Sequence, residues 1–249
     1  MSGNTRDHYD RLADSYDENW AYSVAFNRWM SERILDRLDL RPDDRVVDLG
    51  CGTGLFSKAL AEQAREVVCV DPSPNMLAQL PQSAGTLVPI QGSAEDVASG
   101  AVRLPYEQVD AILIKEAVHH FSSRGAVLGG LAQLLAPGGR VLVVMLPTTI
   151  SYPLFRRALE VFEEHQPDPA DIAGAMHTAG LAVEVTYEAY QLAFSKDRYL
   201  AMVRNRYMSL LSEFDDPELE DGIKEIELEH PEDVLEFGDR FAFVLGRRT

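Results

Sequence analysis

Apolar residues recur at three- and four-residue intervals over 8–38, first as Tyr9, Leu12, Ala13 and Tyr16, then as Phe26, Trp29, Met30, Ile34 and Leu38. That spacing puts them on one side of a helix, so an amphipathic helical preface is predicted. The period then changes. Short continuous apolar runs at 46–49, 67–70, 87–90, 109–114 and 140–146 read as strands, and 54–64, 75–80 and 124–135 between them carry helical spacing. Alternating strands and helices predict a mostly parallel sheet joined by right-handed crossovers. Pro137-Gly138-Gly139 is predicted as the turn that stops one helix and sets up the strand after it. Beyond Pro147 the pattern loosens into helices at 152–164 and 170–179, a strand at 182–190 and a last strand at 240–245.

One strand end carries the chemistry. Val46-Val47-Asp48-Leu49 runs into Gly50-Cys51-Gly52-Thr53-Gly54, an acid followed by glycines at alternate positions, and then into a helix start. Glycine reaches positive φ without steric cost and offers no side chain to block a ligand, so such a turn brings bare backbone against a nucleotide-like molecule. A dinucleotide fingerprint wants a further glycine at the sixth position, which here is Leu55. The next strand, Val67-Val68-Cys69-Val70, closes on Asp71, where an acid can accept hydrogen bonds from both ribose hydroxyls.

Composition narrows the partners. A chain of 249 residues, 46% of them hydrophobic, can bury one sizeable α/β core. The formal charge of −17 opposes an extended phosphate backbone, which is bound by clustered Lys and Arg, so no nucleic-acid partner is expected. No apolar run is long enough to span a membrane and the first seven residues are polar, so a cytoplasmic protein without a membrane partner is expected, as monomer or homodimer. Cys51 and Cys69 have neither the number nor the spacing for a metal site, and no metal is expected. Lysine is scarce, confined to Lys58, Lys115, Lys196 and Lys224.

With Asp48, the three glycines and Asp71 in place, the chain resembles the class I S-adenosylmethionine-dependent methyltransferases, in the broad group of ubiquinone/menaquinone-biosynthesis and trans-aconitate enzymes. The resemblance covers roughly residues 9–147. It implies a Rossmann-like, seven-stranded, mostly parallel sheet with its last strand antiparallel, helices on both faces and helical lid elements. A single domain is expected: an N-terminal helical cap over 1–40, a cofactor-binding core over 41–147, and a C-terminal part over 148–249 with a helical insertion at about 195–232. By the same resemblance Asp48, Gly50, Cys51, Gly52, Thr53 and Gly54 would surround the methionine part of S-adenosylmethionine. Asp71 with Pro72 would hold the ribose, and Met76 would pack on adenine or serve the core. Ser93, Ala94 and Glu95 would read the adenine edge, with Asp96 a helix cap. Lys115 and Glu116 would pass beneath the sulfonium, and Tyr16 would cap the cofactor or share a helix stripe with Tyr9.

Methyl transfer is a displacement at carbon already activated by positive sulfur, so the protein mainly aligns the reactants and excludes water. A general base helps only where the acceptor has a proton to lose. His119 and His120 are the candidates, with packing and hydrogen bonding as the plainer alternative. On a helix predicted over 197–212, Tyr199, Val203, Tyr207 and Leu210 share a face with Arg206 beside it. Arg206 and Tyr207 are therefore candidates to touch substrate, against a structural salt bridge for the arginine. The function expected is transfer of the methyl group to a small molecule, at an oxygen, leaving S-adenosylhomocysteine. Carbon or nitrogen acceptors, a tRNA or protein acceptor, and a non-catalytic cofactor-binding subunit stay open as alternatives.

Overall fold

A computed structural model describes residues 23–81 and 86–249. Helix α1 (Val24–Leu38) begins where the Ser23 hydroxyl accepts a hydrogen bond from Phe26 N, and ends at Asp39, whose φ is 44°. Phe26, Met30, Ile34 and Leu38 are its buried residues, the four-residue stripe that the sequence predicts. There follow β1 (Arg45–Leu49), α2 (Ser57–Ala61), β2 (Glu66–Asp71), α3 (Pro74–Leu77), β3 (Leu87–Gln91), α4 (Ala94–Ser99) and β4 (Val109–Lys115). A 3₁₀ turn (Val118–His120), α5 (Arg124–Leu134), β5 (Leu135–Met145), α6 (Arg156–His165), α7 (Pro169–Thr178) and β6 (Ala182–Ser195) come next. The chain ends with α8 (Lys196–Arg204), a second 3₁₀ turn (Ser209–Glu213), α9 (Asp216–Glu229) and β7 (Val234–Arg247).

The seven strands lie in the order β3-β2-β1-β4-β5-β7-β6. β1 to β5 pair in parallel, and β7 runs antiparallel to both of its neighbours. The expected class is thus observed: a Rossmann-like, mostly parallel sheet whose last strand is reversed. Alternation along each strand sends its residues to two cores. On one face Val46, Leu113, Leu142, Val144, Phe241 and Phe243 pack with α1 and the segment between β6 and β7. On the other Val47, Ile112, Val143 and Val244 meet Val97, Leu128 and Ile172 from α4, α5 and α7. The strand order reverses between β1 and β4, and there the carboxyl ends of the strands leave a crevice for a ligand.

Arg140 ties α1 to the opposite edge of the sheet. Its guanidinium is buried and donates to Asp44 Oδ2 at 2.6 Å, to the carbonyls of Asp39 at 2.8 Å and Asp110 at 3.1 Å, and to that of Leu38.

Several boundaries differ from the sequence reading. The helices predicted over 54–64 and 75–80 contract to α2 and α3, because the glycine turn and the Ser73-Pro74 start take up their first residues. Pro137-Gly138-Gly139 lies inside β5 as a bulge: Leu135 pairs with Val109 and Arg140 with Ala111. Its backbone groups are satisfied by Arg248, with Gly138 N donating to Arg248 O and Arg248 N to Gly139 O. β6 and β7 each run 14 residues, longer than predicted; on the edge strand β6 the outward residues are polar and dilute the apolar signal. The helix predicted over 197–212 stops at Arg204, and Arg206 has φ 53°, which a continuous helix forbids. The insertion expected over 195–232 is present between β6 and β7 as α8, the second 3₁₀ turn and α9.

Candidate active site

The turn after β1 is built as its glycines require. Gly50, Gly52 and Gly54 have φ of 78°, 55° and 80°. Gly50 N and Cys51 N both donate to Val70 O, at 2.8 and 3.1 Å, so the end of β2 holds the turn in place. A Cβ on Gly50 would stand 2.6 Å from that of Ala117, which follows β4. Thr53 is buried beside it and Cys51 half-buried. The Cys51 thiol, hydrogen-bonded to Cys69 and desolvated, is held well above its ordinary pKa. It stays protonated, and among the described residues no cluster suits a metal ion.

Asp71 closes the turn from the β2 side. Its Oδ2 accepts from Gly52 N at 3.0 Å and its Oδ1 from Ser73 N at 2.9 Å. A carboxylate oxygen has lone pairs for more than one donor, so a ribose hydroxyl can still be accepted. Pro72 is half-buried, and Met76 is 1% exposed in α3, in the core role that its spacing allowed.

Asp48 is buried on the sheet face that carries α1. Burial pushes its pKa up to about 6, the nearby Asp71 adding to the rise, while the Ser57 hydroxyl at 2.5 Å and the Lys115 charge oppose it. Two carboxylates thus flank bare glycine backbone at the switch point. That charge and that bare backbone fit a ligand carrying an ammonium and a sulfonium.

After β3 the polar residues are spent on the backbone. Ser93 caps α4: its hydroxyl accepts from Asp96 N at 3.1 Å and donates to Asp96 Oδ2 at 2.7 Å, and Asp96 Oδ2 accepts from Ser93 N. Asp96 is the helix cap the sequence suggested. Glu95 Oε1 accepts from both the amide and the hydroxyl of Ser122, bonds that hold its carboxyl below the usual range against desolvation. Ala94, 8% exposed, begins the helix. The hydroxyl expected at the adenine edge is engaged in the cap.

At the end of β4, Glu116 takes φ 51°, a conformation a non-glycine residue holds only where its surroundings enforce it. Glu116 N donates to Val144 O at 2.9 Å and its Oε1 accepts from Leu146 N at 2.9 Å, which locks the ends of β4 and β5 together. Burial raises its pKa, against the Lys115 charge. Lys115 lies with its Nζ 5.0 Å from the centre of the Phe56 ring and 5.7 Å from that of Phe241. The rings of His119 and His120 are 4.0 Å apart and tilted by 54°. His119 Nδ1 is buried with no hydrogen-bond partner among the described residues, and desolvation holds the imidazole pKa well below its usual value, so it is neutral near pH 7.

Arg206 requires a correction. Its guanidinium donates to Asp216 Oδ1 at 2.6 Å and to Phe214 O at 3.2 Å, so it secures the start of α9, the structural alternative to touching substrate. Tyr207 is buried with its hydroxyl 3.1 Å from that of Tyr199, inside the insertion. Tyr9 and Tyr16 lie outside the described residues. Sequence reasoning missed Tyr152 and Asp239, whose hydroxyl and Oδ1 are 2.7 Å apart in a buried pair. The available signal was an acid at the inward parity of β7, between Phe237 and Phe241.

Residues 47–143 match the family described as a methyltransferase domain. Over that stretch the chain is similar to methyltransferases. Among the relatives of the chain, a demethylmenaquinone methyltransferase of Beutenbergia cavernae is 32% identical over 143 residues, 56% of this chain and 57% of that protein. A ubiquinone biosynthesis O-methyltransferase of Azorhizobium caulinodans is 35% identical over 121 residues, 46% of each chain. The chain therefore spans about half the length of these curated relatives. Its fold is shared with the phosphoethanolamine N-methyltransferase 2 of Haemonchus contortus, solved with phosphomonomethylethanolamine and S-adenosylhomocysteine: TM-score 0.62 at 18% identity, over 98% of this chain and 60% of that one. Among the described residues no helix is long and apolar enough to cross a membrane.

Proposed function

We propose that the protein transfers the methyl group of S-adenosylmethionine to an oxygen of a small molecule, releasing S-adenosylhomocysteine. The observation that carries this reading is the pairing of a positive-φ glycine turn with two carboxylates, Asp48 beneath it and Asp71 bonded to its Gly52 amide. Bound there, S-adenosylmethionine supplies a methyl group on positively charged sulfur.

The chain's own residues would do the rest. Gly50 through Gly54 present backbone to the methionine part, Asp48 answers its ammonium, and Asp71 accepts the ribose hydroxyls. Ala94 and Glu95 lie where the adenine edge would fall. His119, kept neutral by burial, has a free ring nitrogen to take a proton from an acceptor hydroxyl. Small-molecule oxygen as acceptor is supported by the ubiquinone-biosynthesis O-methyltransferase among the relatives and by a surface whose net charge of −17 disfavours nucleic acid.

The test is isotopic. The protein is incubated with donor labelled in its methyl group and a panel of phenols, carboxylic acids, amines and thiols, and products are located by mass spectrometry. Labelled O-methyl product is expected. Label only on nitrogen or carbon would overturn the choice of oxygen, and no product beside tight S-adenosylhomocysteine binding would overturn the transfer itself.

A further inference from the structure

The two ends of the sheet are finished differently. At one end β3 is five residues long and carries Pro89, which blunts it against further pairing. At the other end β6 runs 14 residues without proline, glycine or lysine, and its register with β7 is unbroken from Ala182 to Ser195. Among the described residues nothing pairs with its free side. A long edge without those guards offers a row of backbone donors and acceptors to another strand. Two of its exposed positions are apolar as well, Val185 at 37% and Tyr187 at 44%.

The charges beside β6 say which strand fits. Glu184, Thr186 and Glu188 pair with Leu245, Phe243 and Phe241 and so share the sheet face that carries α1. Glu188 lies between two arginines of that helix, Arg37 at 2.5 Å and Arg33 at 3.8 Å. Arg37 is fully engaged, by Glu188, the Thr186 hydroxyl and the Arg33 carbonyl. Arg33 is not: its Nε is buried with no hydrogen-bond partner among the described residues, and the exposed Glu32 comes no nearer than 3.9 Å. The cluster is one carboxylate short of balance. Glu184 is exposed and makes no hydrogen bond or ion pair among the described residues. Within its own chain it stands two positions from Thr186 on the side away from Glu188, but in an antiparallel pair about a twofold axis, residues equidistant from the axis face each other. With the axis at Thr186, Glu184 of one copy faces Glu188 of the other, and Val185 faces Tyr187.

We propose that the partner of β6 is the β6 of a second copy of this chain, paired antiparallel about Thr186, so that the two sheets join into one. Ala182 to Tyr190 of each copy form the ladder, and Glu184 of each completes the arginine cluster of the other. Two facing glutamates alone would repel. Set against Arg33 and Arg37 they make a group of two cations and two anions, formed twice by the symmetry. On the opposite face the exposed Val185 and Tyr187 cover each other, a β-branched side chain against an aromatic one. Moving the axis by one residue would set Glu184 against Thr186 or Tyr190 and leave Arg33 unanswered. The pairing is independent of methyl transfer, since Asp48, the glycine turn and Asp71 follow β1 and β2, away from this edge.

The experiment joins sedimentation velocity of the full chain to covalent trapping. The wild type should sediment at twice the chain mass at micromolar concentration, and Glu184→Arg should weaken the dimer by about tenfold or more with an unchanged circular dichroism spectrum. Should that variant not fold, Glu184→Gln takes its place, with a severalfold weakening expected. Thr186→Cys would face its own copy with Cα atoms about 4.5–5.5 Å apart, within the roughly 4.4–6.8 Å that a disulfide spans. With oxidised glutathione it should give a covalent dimer, two thiols joining as the glutathione disulfide is reduced. Ala189→Cys, set opposite Val183 by this register, should give none, as should the wild type, whose Cys51 and Cys69 are half-buried and buried. A wild type of one chain mass would overturn the proposal in favour of a strand from another protein. A dimer that Glu184→Arg leaves unweakened would overturn it in favour of another face, as would one that neither cysteine variant traps. Trapping by Ala189→Cys instead of Thr186→Cys would overturn the register on which the proposal stands.

Discussion

Asp48 is the residue where stability and binding pull in opposite directions. Its carboxyl is buried beside Asp71, and its pKa in the fold is about 6 against an ordinary 3.8. Between those two values the folded protein holds a proton that the unfolded chain has released. Stability from this group is therefore lost as pH rises from about 4 to about 6, by roughly 3 kcal/mol in all, and stays lost above it. Asp48→Asn, which keeps an acceptor for Ser57, should raise stability by about 1–3 kcal/mol at pH 7 and leave it unchanged near pH 4, measured by urea denaturation at both. Binding runs the other way, because only the ionised carboxylate answers the donor's ammonium. Affinity for S-adenosylhomocysteine should be about tenfold weaker at pH 5 than at pH 7, and the Asn variant should show neither the pH dependence nor the high-pH affinity. Residues such as Asp48, Asp71 and Gly50 were legible in the sequence because acid, glycines and second acid are local to two strand ends. Asp239 and Tyr152 were not, since a separation of 87 positions hides a contact that only the folded sheet creates.

Among the elements, those with a clear period were read correctly and those shaped by partners were not. The stripe of α1 and the apolar runs of β1, β2 and β4 state their own structure. The bulge in β5 depends on Arg248 at the far end of the chain, and the break after α8 depends on Arg206 reaching Asp216 in α9. No local pattern encodes either. Long-range anchoring of the same kind makes Arg140 the clamp of α1, since its guanidinium joins Asp44 and three carbonyls. Arg140→Met removes the cation and strands Asp44 in a buried place. A loss of roughly 3–5 kcal/mol is expected in denaturant unfolding, with cofactor affinity in the remaining folded protein little changed because the clamp lies at the opposite edge from the glycine turn.

At the scale of the molecule, the topology explains why one face of the problem was readable and the other was not. The candidate donor-side residues follow the ends of β1, β2 and β3 in sequence order, and those strands are neighbours in the sheet, so the motifs along the chain lie side by side in space. The contacts of Lys115 with Phe56 and Phe241, and of Phe241 with Trp29, join residues from distant parts of the chain, which no spacing rule connects. The central claim, that Asp48, the glycine turn and Asp71 form the donor site, is tested most directly by calorimetric titration of S-adenosylhomocysteine into the wild type and Asp71→Ala at pH 7.5. The wild type should bind, and the variant should lose roughly 1.5–3 kcal/mol, about ten- to more than a hundredfold in affinity, as the ribose and Gly52 lose their charged acceptor. Equal affinity in the two proteins would contradict the account.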